Sequence, residues 1–179
     1  MGISASKRVS RRFRDSEEFN SACDSVFEEC LTLTQHAFPG IFPYQLSEAC
    51  YGLHFSLSSS DPLVKKWLPS PPSLAQVDRA YRLFSLRRAR CNDYHSPPSN
   101  PQPQPPTLGS DEFKAFAVEL FTDSVVSNAG KEMIVRIPIG VAGIAGVGMA
   151  TRAGKNLIGP AIGVYALGVA TSIYVSLFA

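Results

Sequence analysis

Two uncharged stretches near the C-terminus restrict what this chain can fold into more than any other feature. Residues 137–151 and 157–179 contain fifteen and twenty-three residues without an acid or a base, separated by Arg152-Ala153-Gly154-Lys155-Asn156. A helix of twenty-three residues extends about 34 Å at 1.5 Å per residue, enough for a hydrocarbon core of about 30 Å. The first stretch reaches only about 22 Å unless it is extended back through Met133, which sets Arg136 at the interface with its charge reaching outward. Glycine recurs in both, at Gly140, Gly143, Gly146 and Gly148 and then at Gly159, Gly163 and Gly168. Each costs roughly 1 kcal/mol relative to alanine in a water-exposed helix, whereas small residues let apolar helices approach closely. The pattern therefore predicts an apolar helical hairpin with Gly140, Gly143, Gly159 and Gly163 as packing positions, which would also serve self-association. A buried soluble hairpin is the alternative, although few other residues are left to cover so much apolar surface. Lys131 and Arg136 precede the hairpin while Arg152 and Lys155 interrupt it, so the positive-inside rule leaves its orientation open.

The other end of the chain also points to a membrane. Removal of Met1 from Met1-Gly2-Ile3-Ser4-Ala5-Ser6 exposes Gly2 in the pattern read by N-myristoyltransferase. One myristoyl chain holds a protein only marginally, and a basic cluster is a usual second signal. Lys7, Arg8, Arg11, Arg12 and Arg14 supply it, each contributing about 1 kcal/mol at an anionic leaflet. Ser10 follows Lys7-Arg8-Val9 as a basophilic kinase site would, and phosphate there subtracts roughly 1.5 to 2 charges. The same acid-free, Ser/Arg-rich start also fits a chloroplast or mitochondrial transit peptide. A secretory signal, and with it a GPI anchor, is not expected without an apolar run behind the charges. Residues 1–14 are accordingly read as a basic arm on the cytosolic face of a membrane, the plasma membrane foremost.

Between these ends the periodicity predicts helices. Asp15-Ser16-Glu17-Glu18 offers a capping box or a Ser16 cap for a helix burying Phe19, Cys23, Val26, Phe27, Cys30, Leu31, Thr34 and Phe38. Pro43 opens a second helix, Asp61-Pro62 a third, and Ser73 with Gln76 a fourth, giving a small bundle over residues 15–91. Residues 92–110 hold six prolines among polar residues and read as a disordered linker that frees the two halves to move independently. Residues 111–179 then form a helix, capped by Ser110-Asp111-Glu112 and lined by Phe113, Phe116, Ala117, Leu120, Phe121 and Ser124, leading into the hairpin. The fold class is all-α.

Charge is segregated although the net charge is only +2. Residues 15–61 carry eight acids and no Lys or Arg, whereas residues 62–95 are mainly basic, so acidic and basic helices are expected to pack together or face solvent. The stripe Arg82, Arg87, Arg88 and Arg90 lacks a recognisable nucleic-acid-binding fold, and no nucleic acid is expected as a partner.

Candidate chemistry is sparse. Cys23, Cys30, Cys50 and Cys91 form no C-x-x-C pair and read as reduced packing residues. Cys50 and His54 share a helical face, but two ligands do not complete a metal site. No nucleophile-elbow, zincin, Walker or Rossmann pattern occurs, so neither catalytic residues nor a cofactor is assigned. On the stretches MGISASKRV, EFNSACDSVFEECLTLTQHAFPGIFPYQL and GIAGVGMATRAGKNLIGPAIGVYALGVATSIYVSLFA, the chain resembles a small group of largely uncharacterised plant proteins sometimes catalogued as calcium-binding EF-hand proteins. That resemblance implies calcium binding, yet loops beginning at Asp24, Asp61, Asp111 or Asp123 never supply glycine at position 6 with glutamate at position 12. The leading expectation is a membrane-associated, non-enzymatic adaptor with membrane lipids and a protein as partners. A calcium-binding protein with degenerate EF-hands and an organellar membrane protein are the alternatives.

Overall fold

Ser16 closes one helix and opens the next: its Oγ accepts the Phe19 N–H at 3.2 Å, which satisfies one of the donors a helix start leaves unpaired. The computed structural model describes residues 2–93, 107–150 and 155–177. Within them the chain is helical, with α1 (Gly2–Asp15), α2 (Glu17–Leu33), a short 3-10 helix (Pro43–Gln45), α3 (Leu46–Ser60), α4 (Pro62–Trp67), α5 (Leu74–Asp93), α6 (Ser110–Ala150) and α7 (Lys155–Ser176). An isolated antiparallel bridge joins Ile41 and Leu108. Most of the expected linker, and Arg152-Ala153-Gly154 between the two apolar stretches, lie outside the described residues.

Two compact units divide the chain, Ser10–Ser124 in one and Met1–Val9 with Val125–Ala179 in the other. In the first, Phe13, Phe19 and Phe121 form a fully buried aromatic cluster, with Phe13 and Phe19 4.9 Å apart and Phe121 edge-on to both. Phe113 meets Phe27, and Phe116 meets Phe84, so α6 binds α2 and α5 through the aromatic side its spacing predicts. Each such side chain contributes roughly 1.5 to 3 kcal/mol of burial. Ion pairs frame the same contacts: Arg87 with Glu119 at 2.6 Å, Arg88 with Glu112 at 3.0 Å and Lys114 with Asp24 at 2.7 Å. The acidic α2 and the basic α5 thus both pair with α6.

These contacts group the described residues differently from the expected domain bounds. The beginning of α6 belongs to the bundle, which therefore extends beyond residues 15–91. Of the expected linker 92–110, Asn92 and Asp93 continue α5 and Leu108 is buried, exchanging two hydrogen bonds with Ile41 at 2.9 and 2.8 Å, while residues 94–106 lie outside the described residues. Gly40 permits that approach, since a Cβ there would stand 2.5 Å from the Leu108 carbonyl oxygen. Gly2–Asp15 form a helix, and its Ala5, Val9 and Phe13, spaced four apart, are buried.

Caps elsewhere follow the sequence with two exceptions. Asp61 accepts the Leu63 N–H at 2.7 Å, and Gln76 accepts the Ser73 N–H at 2.8 Å. At α6, however, the helix begins at Ser110 itself, and Glu112 accepts the N–H of Gly109 at 3.1 Å, so glycine occupies the position expected of Ser110. At the other end of α2, the helix stops at Leu33 instead of running to Phe38. Gln35 and His36 adopt left-handed φ values of 52° and 54° ahead of Phe38-Pro39, which is disfavoured as helix. Phe38 consequently lies in an exposed turn, edge-on to Phe42.

Candidate membrane-binding surface

In the unit made of Met1–Val9 and Val125–Ala179, α6 continues without a break through Pro138 to Ala150, and α7 follows from Lys155. Pro138 supplies no N–H for the Ile134 carbonyl, a loss that apolar helices tolerate where a neighbour packs beside them. Tyr165 provides that neighbour. Its ring lies directly against Gly140, and its hydroxyl donates to the Arg136 carbonyl at 3.2 Å. Of the four expected packing glycines, Gly140 makes the close approach. A Cβ at Gly143, Gly159 or Gly163 would meet nothing within 4 Å, so within this chain those three leave open surface instead of a helix contact.

The outer faces are apolar and uncovered. Ile134 and Ile139 on α6 are 74% and 68% exposed, and Val164 and Leu167 on α7 are 73% and 69% exposed. Among the described residues one segment, Ile158–Ser176, is long and apolar enough to cross a membrane: nineteen residues, about 28 Å of helix, of which 6% is buried. The described part of the first stretch, 137–150, is shorter and continuous with the bundle-bound part of α6.

Gly2 is the first residue of α1. Lys7, Arg11 and Arg14 are exposed along that helix at spacings of four and three residues, which puts them on one face. Arg12 is directed elsewhere, with Nη2 3.9 Å from the buried carboxylate of Asp61. Arg8 places its guanidinium 5.9 Å from the centre of the Tyr174 ring on α7. Ser10 is half-buried within α1. Sequence reasoning missed the buried face of α1 because the cations between its apolar residues dominate the composition; the four-residue spacing of Ala5, Val9 and Phe13 was the available signal.

The described cysteines, Cys23, Cys30 and Cys50, are all buried in the bundle. Burial pushes the Cys23 thiol up to about 12, opposed by the Lys114 ammonium and reinforced by Asp24. Burial likewise drives Cys50 up to about 12, with Cys23 and Cys30 nearby adding to the shift, and raises Cys30. Such thiols are protonated at neutral pH and are poor nucleophiles or metal ligands. His54 donates through Nε2 to the Leu68 carbonyl at 2.8 Å, closing the end of α4. Among the described residues no group of three or more His, Cys, Asp or Glu is placed to hold a metal ion. Asp24, Asp111 and Asp123 lie inside helices, and Asp61 caps α4.

No protein-family model matches this chain, and no curated protein or solved structure matches it significantly.

Proposed function

We propose that this chain is a membrane-associated, non-enzymatic adaptor or regulatory protein. It is held at the cytosolic face of a membrane, the plasma membrane foremost, by myristoyl-Gly2, the cations of α1 and the apolar α6–α7 hairpin. The observation that carries the reading is the segment Ile158–Ser176, apolar over nineteen residues yet only 6% buried. A soluble protein of this size gains stability by covering such a helix; leaving it open is favourable where the surroundings are hydrocarbon.

The adaptor role rests on the bundle surface. Tyr44, Tyr51 and Phe55 are exposed on and beside α3, Phe42 stacks on Tyr44 at 5.5 Å, and α2 exposes Glu17, Glu18, Glu28 and Glu29. Aromatic side chains of this kind are enriched where proteins meet. Phosphate on Ser10, within the basic helix, would weaken attachment.

Intact mass and fractionation of wild type, Gly2→Ala and a truncation before Ile137 test the reading. Acyl mass on wild type, partial release of Gly2→Ala and further release on truncation are expected. Complete retention of Gly2→Ala together with no acyl mass on wild type removes myristoylation from the account.

A further inference from the structure

We infer that the N-terminal and C-terminal attachments are one device: α1 and the base of the α6–α7 hairpin share a rim of cations, and the end of α7 lies on the same side of the bilayer as Gly2. The inference rests on the membrane reading above and settles the orientation that the charge pattern leaves open.

Three observations within the unit of Met1–Val9 and Val125–Ala179 carry it. Tyr165 packs on Gly140 while Arg136, one turn earlier on α6, lines a groove with Ser172 and Ile173 further along α7, so α6 and α7 run antiparallel. Tyr174, nine residues further on, therefore lies about 14 Å back along α6, toward Lys131 and away from Ala150. Arg8 stands over the Tyr174 ring, while Ile173 and Leu177 beside it are buried. This brings the first half of α1 to the base of the hairpin, with Gly2 within about 9 Å of Arg8 along the helix axis.

Charge follows the same geometry. Lys7, Arg8, Lys131 and Arg136 are exposed at the base, with Glu132 paired to Arg136. The helices beyond it, 137–150 and 156–176, carry no charged residue, and their exposed residues include Ile139, Val164 and Leu167. Arg136 also borders a groove of about 310 Å³ lined by Tyr165, Gly168, Val169, Ser172 and Ile173. A cationic group and two hydroxyls at the lip of an apolar shaft suit the headgroup of an anionic phospholipid, whose charge complements the rim. A single crossing by α7 alone would have to pull Tyr165 off Gly140 and Tyr174 away from Arg8.

The test uses the full chain added to preformed vesicles, either phosphatidylcholine alone or with phosphatidylserine. Val175 is exposed near the end of α7, so a Val175→Cys reporter in a Cys91→Ser background is treated with a membrane-impermeant maleimide. Carboxypeptidase added outside to vesicle-bound wild type gives a second readout that needs no substitution. Same-side topology predicts labelling without detergent and removal of C-terminal residues from the bound chain. Protection of both until detergent is added overturns it while leaving membrane association intact. Failure of wild type to float with either vesicle overturns the membrane reading and this inference together. The rim predicts that Lys131→Gln lowers the preference for phosphatidylserine vesicles about fivefold and that Arg136→Gln, whose guanidinium is paired with Glu132, lowers it less, with binding to neutral vesicles unchanged. An unchanged preference removes the rim.

Discussion

Tyr165 fills the space that a side chain at residue 140 would need, and in doing so it holds α7 against α6. A Gly140→Ala substitution places a methyl group inside the aromatic ring and should cost about 1 to 3 kcal/mol of local stability, as overpacking does. Hydrogen exchange of α6 and α7 amides in the full chain would read this as faster opening. Tyr165→Ala added to Gly140→Ala should return part of the loss. Gly143→Ala, with open space around it, should leave exchange unchanged or slow it.

Asp61 serves two partners, the Leu63 N–H at 2.7 Å and Arg12 at 3.9 Å. Asp61→Ala removes the cap of α4 and should destabilise the protein by about 1 to 2 kcal/mol in urea unfolding, whereas Asp61→Asn keeps the acceptor and should cost less. A larger loss for Asn than for Ala would contradict the capping role.

The same pair separates the cations of α1. Arg12 is turned toward Asp61, while Arg11 is exposed beside it. Arg11→Gln should weaken binding to phosphatidylserine vesicles about fivefold, and Arg12→Gln should weaken it less. Equal losses would show that both guanidinium groups meet the lipid.

The buried thiols make stability depend on alkali in a defined window. Cys23 and Cys50 are raised by burial to about 12 from an ordinary 9.0, so the folded chain holds protons that the unfolded chain releases. Their contribution is complete below pH 9 and declines by about 1.4 kcal/mol per pH unit for each thiol between pH 9 and 12. Urea midpoints measured from pH 7 to 10.5 should fall above pH 9, and Cys50→Ala should flatten that fall.

Thr122 is buried on α6, and among the described residues its hydroxyl has no hydrogen-bond partner. Thr122→Val keeps the shape and removes the desolvated group, so the unfolding free energy should rise by about 1 kcal/mol. A loss of stability on this change would indicate that the hydroxyl is satisfied in solution.

Local chemistry made much of this fold legible. Ser16, Asp61, and Ser73 with Gln76 mark helix starts through hydrogen bonds that span two or three residues, and the aromatic side of α6 follows from helical spacing alone. The missed features depend on distant partners. Nothing near Leu108 announces that it bonds to Ile41 across the proline-rich stretch, and nothing in a run of glycines distinguishes Gly140, whose neighbour is twenty-five residues away, from Gly143. In α1 the signal was present but divided: Ala5, Val9 and Phe13 have helical spacing, while the cations among them suggest an arm.

Whether the exposed apolar hairpin meets lipid is measured most directly by flotation of the full chain and of a chain ending at Arg136 with phosphatidylcholine–phosphatidylserine vesicles at high salt. High salt screens the contribution of the α1 cations and leaves apolar insertion in place. The full chain should float and the truncated chain should remain at the bottom of the gradient. Equal flotation of the two, or failure of the full chain to float, would contradict the role assigned to α6 and α7.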